Sequence, residues 1–317
     1  MKHPEESIDT SLSGVDSPLA RELSDLTARR RILERPAPPL PSRPRVFTVS
    51  NQKGGVGKTT TTVNIAAALA RFGAKVLVID LDPQGNASTA LGIDHHGDIP
   101  SIYDVLVEGK PLSSVIQKST EEGELYCAPS NLDLAGAEIQ MFSIDRREFL
   151  LRDALERFFN EPGNDYHYVF IDCPPSLGLL TINAFSSARE VLIPIQCEYY
   201  ALEGLSQLLS TIEMINQGLN PYLQVSTILL TMFDSRTRLA HEVAADVRQH
   251  FPQQVLGAVI PRAVRVSEAP SYSQTVVSYD TMSVGSISYI EAAHEIALRG
   301  APGAASTTTQ EATHGNE

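Results

Sequence analysis

Asn51-Gln52-Lys53-Gly54-Gly55-Val56-Gly57-Lys58-Thr59-Thr60 is the stretch on which the fold of this 317-residue chain turns. It follows the phosphate-binding pattern G-x-x-x-x-G-K-[ST] at Gly57-Lys58-Thr59, but Gln52 stands where the first glycine belongs and an extra lysine, Lys53, precedes Lys58 by five residues. The flanks supply the strand-loop-helix context such a loop needs. Residues 46–50 read as a short buried strand, and residues 59–72 repeat apolar side chains at helical spacing. Gly54, Gly55 and Gly57 let backbone amides turn inward without a Cβ in the way. The helix that opens near Lys58 then aims the positive end of its dipole at a phosphate. In such a loop Lys58 bridges β- and γ-phosphates and Thr59 offers its hydroxyl to Mg²⁺.

Two further segments carry acids to the same place. Residues 75–79 form a continuous apolar strand that runs into Asp80-Leu81-Asp82-Pro83-Gln84-Gly85-Asn86, so two carboxylates stand at its carboxyl end. Beside a phosphate, a metal ion or an attacking water would each give them a task. Tyr168-Val169-Phe170-Ile171-Asp172-Cys173-Pro174-Pro175 is another apolar strand and ends in a single Asp, the pattern of a Walker B carboxylate that holds Mg²⁺ through water. Further apolar runs at 125–129, 191–195, 224–231 and 255–260 alternate with helical patterns at 147–159, 201–217, 239–250 and 288–299. The alternation predicts an α/β fold, doubly wound, with a mostly parallel sheet covered by helices on both faces and ligands at the carboxyl ends of its strands.

Taken together, Lys53-Gly54-Gly55-Val56-Gly57-Lys58-Thr59-Thr60, Asp80-Leu81-Asp82-Pro83-Gln84-Gly85-Asn86-Ala87-Ser88 and Ile171-Asp172-Cys173-Pro174-Pro175 resemble the three motifs of the ParA/MinD deviant Walker A ATPases, a P-loop NTPase family. Two later segments, Thr231-Met232-Phe233-Asp234-Ser235-Arg236-Thr237 and Ile260-Pro261-Arg262-Ala263-Val264-Arg265-Val266-Ser267-Glu268-Ala269-Pro270-Ser271, are similar to those of its chromosomal, Soj-type branch. The resemblance implies that Lys53 reaches across a two-fold sandwich dimer to the nucleotide of the partner subunit, as an arginine finger supplied in trans does. It assigns residues 53–60 to ATP, makes Lys53, Lys58 and Asp82 catalytic with Asp82 positioning the attacking water, and gives Thr59, Asp80 and Asp172 to Mg²⁺. Pro261 contacts adenine through its backbone; this chain has Ala263 where many relatives carry Asn. The implied function is ATP-dependent partition. An ATP-bound homodimer coats double-stranded DNA without sequence preference, and a DNA-site-bound ParB-like protein stimulates an ATPase that is weak alone, segregating the origin region. A polar anchor protein is a further partner class, and a relative that positions a protein cargo on the nucleoid by the same chemistry is the alternative.

A net charge of −13 argues against nucleic acid only if charge is spread evenly. Within residues 234–265, Arg236, Arg238, Arg248, Arg262 and Arg265 face only Asp234, Glu242 and Asp246, and a dimer doubles any such patch. Arg236 and Arg265 match the family's DNA-binding arginines; Arg238 and Arg262 join them as candidates. Cys127, Cys173 and Cys197 show neither metal spacing nor a disulfide framework, which fits a reducing cytoplasm. No apolar run approaches a membrane span of about 20 residues, no signal-peptide h-region opens the chain, and residues 300–317 lack the basic amphipathic face of a membrane-anchored relative. The expected organisation is a Pro-rich disordered tail over 1–44 with a helix at 19–34, an ATPase domain over 45–300, and a disordered tail over 301–317.

Overall fold

The computed structural model describes Thr27 and residues 31–300, so the helix expected at 19–34 and the tail at 301–317 fall largely or wholly outside the described residues. The chain divides into two units. Of the first, Met1–Arg35, the described part is Thr27 and a single 3₁₀ turn at Arg31–Glu34. The second, Pro36–Glu317, contains the sheet.

In chain order that unit runs β1 (Arg45–Val49), α1 (Lys58–Arg71), β2 (Lys75–Asp80), α2 (Asn86–Ala90), α3 (Ile102–Leu106), β3 (Gln117–Lys118), β4 (Glu124–Ala128), α4 (Leu134–Met141), α5 (Leu150–Asn160), β5 (Tyr168–Asp172), α6 (Leu179–Ser187), β6 (Glu190–Gln196), α7 (Ala201–Gly218), β7 (Gln224–Phe233), α8 (Arg238–His250), β8 (Val255–Pro261), α9 (Val264–Glu268), α10 (Val276–Tyr279) and α11 (Val284–Arg299). The strands pair in the order β3-β4-β2-β5-β1-β6-β7-β8. Every pairing is parallel except β3 with β4.

Continuous apolar runs become strands here because both faces of a parallel sheet are covered. All five residues of β5 are buried, and Phe47 of β1 stacks on Phe170 of β5 with ring centroids 5.1 Å apart. From β1 the chain moves to β2 and β4 on one side, then returns through β5 and travels to β6, β7 and β8 on the other. That reversal creates the crevice where ligands bind in doubly wound folds. Register fixes what lines it: Val49 pairs with Asp172 and Asp80 pairs with Asp172, so the ends of β1, β5 and β2 lie side by side.

Both sheet edges are covered. On one side the two-residue β3 closes β4. On the other, the Glu295 carboxylate of α11 accepts the Gly257 and Ala258 amides of β8, and Arg299 donates to the carbonyls of Gln253, Gln254 and Val255.

Candidate active site

Between β1 and α1 the chain makes the loop that decided the fold. Gly55 and Gly57 hold φ values of +74° and +89°, the left-handed region where a side chain is strained. Gly54 does not, and a Cβ there would meet nothing within 4 Å. The loop is fastened to neighbouring strands. Asn51 donates through Nδ2 to the Pro194 carbonyl at 2.9 Å and accepts the Lys53 amide on Oδ1 at 3.0 Å, while the Thr231 hydroxyl donates to the Val56 carbonyl at 2.9 Å. Asn51 has no role in the sequence reading, because its anchor, the Pro194 carbonyl, lies on a strand distant along the chain. No side chain caps α1 at Gly57, so its first-turn amides are left for an anion.

Lys58 enters that site nearly buried, 7% exposed, with its ammonium 3.4 Å from the Lys53 carbonyl. Burial pulls its pKa down, against the pull of Asp172, so a phosphate beside it would be strongly favourable. The two strand-end carboxylates are fully buried, and burial followed by their mutual repulsion raises the pKa of Asp172. Asp80 is also raised, chiefly by burial, with Asp82 adding repulsion.

They differ in what they hold. Asp80 accepts the Ser88 amide at 2.8 Å and the Ser88 hydroxyl at 2.7 Å on one oxygen, and the Asp82 amide at 3.2 Å on the other. Asp172 accepts the Thr62 hydroxyl at 3.0 Å on Oδ1, whereas its buried Oδ2 has no partner. An unpartnered buried carboxylate oxygen beside the Thr59 hydroxyl suits a hard divalent cation. Among the described residues no three His, Cys, Asp or Glu side chains gather as a metal cage. Mg²⁺ needs none, since it retains waters and takes oxygens from substrate phosphates. Asp82 sits half-buried on the loop that Asp80 ties down, its own carboxylate accepting the Gln84 amide at 3.1 Å.

Lys53 stands apart from these groups. It is exposed, and its ammonium meets Glu198 Oε2 at 2.8 Å. Thr59 and Thr60 open α1 half-buried, and Thr60 begins the wall of a cavity of about 230 Å³. Gly57, Thr231, Met232, Pro261 and Tyr289 help line it, and its mostly apolar wall suits a planar base. Met232 holds a left-handed φ of +50° at this wall, uncommon without glycine. Ala263 precedes α9 with no side-chain cap bond and lines the cavity with Pro261 and Arg262, its methyl offering no hydrogen bond to a base.

The four candidate arginines gather where β7 and β8 end, with Phe233 and Pro261 in register and the Arg262 amide bonded to the Phe233 carbonyl at 3.1 Å. Three of them meet acids of their own subunit. Arg236 grips Asp234 through Nε and Nη2 at 2.8 and 2.7 Å, Arg238 meets Glu242 at 2.6 Å, and Arg265 lies 3.1 Å from Glu268 and 3.5 Å from Asp280. The sequence count of charges does not show this pairing. All three cysteines are buried, and burial raises the Cys127 and Cys173 thiols, which suits packing rather than reactivity. Among the described residues no helix is long and apolar enough to cross a membrane.

Comparison with known proteins bears on the family and the fold. A family profile described as an AAA domain matches residues 44–225. The chromosome partitioning protein ParA of Myxococcus xanthus (strain DK1622) is 49% identical over 258 residues, which cover 81% of this chain and 89% of that protein. The sporulation initiation inhibitor protein Soj of Bacillus subtilis (strain 168) is 46% identical, covering 81% and 99%. Among solved structures, one titled cobyrinic acid a,c-diamide synthase from Mycobacterium smegmatis, with bound ATP analog and magnesium, superimposes with a TM-score of 0.69 at 38% identity, covering 81% of this chain and 95% of that one.

Proposed function

Because this chain belongs to the ParA/Soj family of chromosome-partitioning ATPases, we propose that ATP joins two copies face to face, that the pair holds DNA without sequence preference, and that a ParB-like protein triggers hydrolysis and release. The chain is a P-loop ATPase using ATP and Mg²⁺. The observation that carries the dimer reading is the position of Lys53. Lys58 turns inward beneath the loop and Asp80 and Asp172 end neighbouring strands, whereas the Lys53 ammonium lies outward on Glu198. A lysine so placed completes a site better on another subunit than on its own.

The residues divide the work accordingly. The amides of 54–60 and the Lys58 ammonium take the phosphates, and their cost of burial without an anion is relieved when one arrives. Thr59, and Asp172 through water, would hold Mg²⁺, which when bound would supply charge neutralisation at the phosphates. Asp80 keeps the loop of Asp82 in place, and Asp82 accepts a proton from, or orients, the attacking water. Pro261 and its neighbours sandwich the base. Arg236, Arg238, Arg262 and Arg265 contact DNA phosphates, and for Arg236, Arg238 and Arg265 a phosphate takes the place of a carboxylate of their own subunit. The setting is the bacterial cytoplasm, on the nucleoid, with the origin region as cargo.

Asp82→Ala tests the assignment. ATP binding is retained, turnover falls by at least about tenfold as expected for a general base, and the protein accumulates as an ATP-bound dimer in size-exclusion chromatography with light scattering. A monomeric Asp82→Ala with ATP bound would sink the role given to Asp82.

A further inference from the structure

Glu198 is built to hold something. Its backbone amide bonds the Gln196 carbonyl at 2.8 Å, and its own carbonyl accepts the Ala201 amide at 3.0 Å where α7 begins. One carboxylate oxygen is taken by the Gln196 side chain, whose residue pairs in register with Thr231, the same threonine that anchors the loop at Val56. The other oxygen is thereby left fixed at the rim and meets the Lys53 ammonium at 2.8 Å. The Lys53 backbone is fixed as well, through Asn51. Both partners of the ion pair are therefore tied to the ends of β6 and β7, across 145 residues of sequence. Beside it stand Tyr199 and Tyr200, exposed and packed edge to face.

From this arrangement we infer that Glu198 is a positioning residue that holds Lys53 on its own subunit until a nucleotide-loaded second copy draws it away. The inference rests on the dimer reading above, and it adds a competition to it. Reaching across to the partner's phosphates carries the ammonium off the fixed Glu198 oxygen, so dimer closure breaks one such pair in each subunit. The side chains are 42% and 46% exposed, so water and salt screen the pair and the hold is weak enough to be reversible.

The test uses the full chain with Mg²⁺ and a non-hydrolysable ATP analogue in analytical ultracentrifugation. E198Q keeps the size of the side chain and the hydrogen bond toward Gln196 but loses the charge. Its dimer dissociation constant is expected to fall between about two- and thirtyfold, since two exposed pairs need no longer be broken. Binding of a fluorescent ATP analogue to dilute monomer stays unchanged. The gap between wild type and E198Q narrows as salt rises, which a purely structural role for Glu198 would not produce. If E198Q dimerises no more tightly than wild type while Lys53→Ala no longer dimerises with nucleotide, the hold is wrong and the dimer reading stands. If Lys53→Ala dimerises and turns over like wild type, both fall.

Discussion

A fully buried carboxylate with one oxygen unpartnered, as at Asp172, works against the nucleotide-free fold. Its carboxyl is pushed from the ordinary 3.8 to about 8, first by burial and then by Asp80. A raised folded-state pKa means that the folded protein binds the proton more tightly than the unfolded chain does. The associated stability is fully present below the ordinary carboxylate range and is lost as pH rises through about 8. The nucleotide-free protein is therefore expected to lose thermal stability between pH 6 and pH 8 more steeply than Asp172→Asn, which has no charge to bury. At pH 8 the Asn variant melts roughly 3 °C higher without nucleotide, yet gains nothing from Mg²⁺ when ATP is added. A lower midpoint for Asp172→Asn at pH 8, in scanning calorimetry, would show that the orphan oxygen is satisfied in solution. The identity of Asp172 was plain from its strand-end position; its electrical state was not, because that depends on Asp80, which only the β2–β5 register brings alongside.

Elements reveal a similar division. Strands β1, β2, β5, β6, β7 and β8 read directly from apolar runs because a parallel sheet hides both faces of its strands. Short helices such as α2, α3 and α4 gave no such signal, since one or two turns repeat too few apolar positions to stand out, and α4 leaves Ile139 exposed. Helix α11 begins at Val284, four residues ahead of the sequence reading, because Ser283 caps it through Ser286. The order of the strands was not legible, for neighbours such as β1 and β5 are joined only by contacts distant along the chain. One close approach between elements is testable. Gly123, ahead of β4, has a φ of +92°, and a Cβ there would lie 2.6 Å from the Ala70 carbonyl in the last turn of α1. Gly123→Ala is expected to lower stability by about 2 kcal/mol in urea unfolding. ATP affinity, measured well below the new midpoint, is expected to remain because the start of α1 is untouched; an unchanged midpoint would show that α1 and β4 give way easily.

Across the whole molecule, charge is organised by position rather than by sum. In a chain of net charge −13, three of the four candidate DNA contacts, Arg236, Arg238 and Arg265, already hold acids of their own subunit. Phosphates must displace those acids, so retention is expected to require the doubled surface of an ATP-bound pair. Arg236→Ala and Arg265→Ala are each expected to leave ATP binding intact and to lower the slope of log affinity against log salt by about two, one phosphate contact per subunit. Undiminished DNA retardation with ATP at moderate salt would remove that arginine from the interface. With β3 closing one side and Glu295 and Arg299 occupying the backbone groups of β8 on the other, no long open row of amides and carbonyls invites a further strand. A sheet closed in this way gives crowded copies no edge on which to add strand to strand.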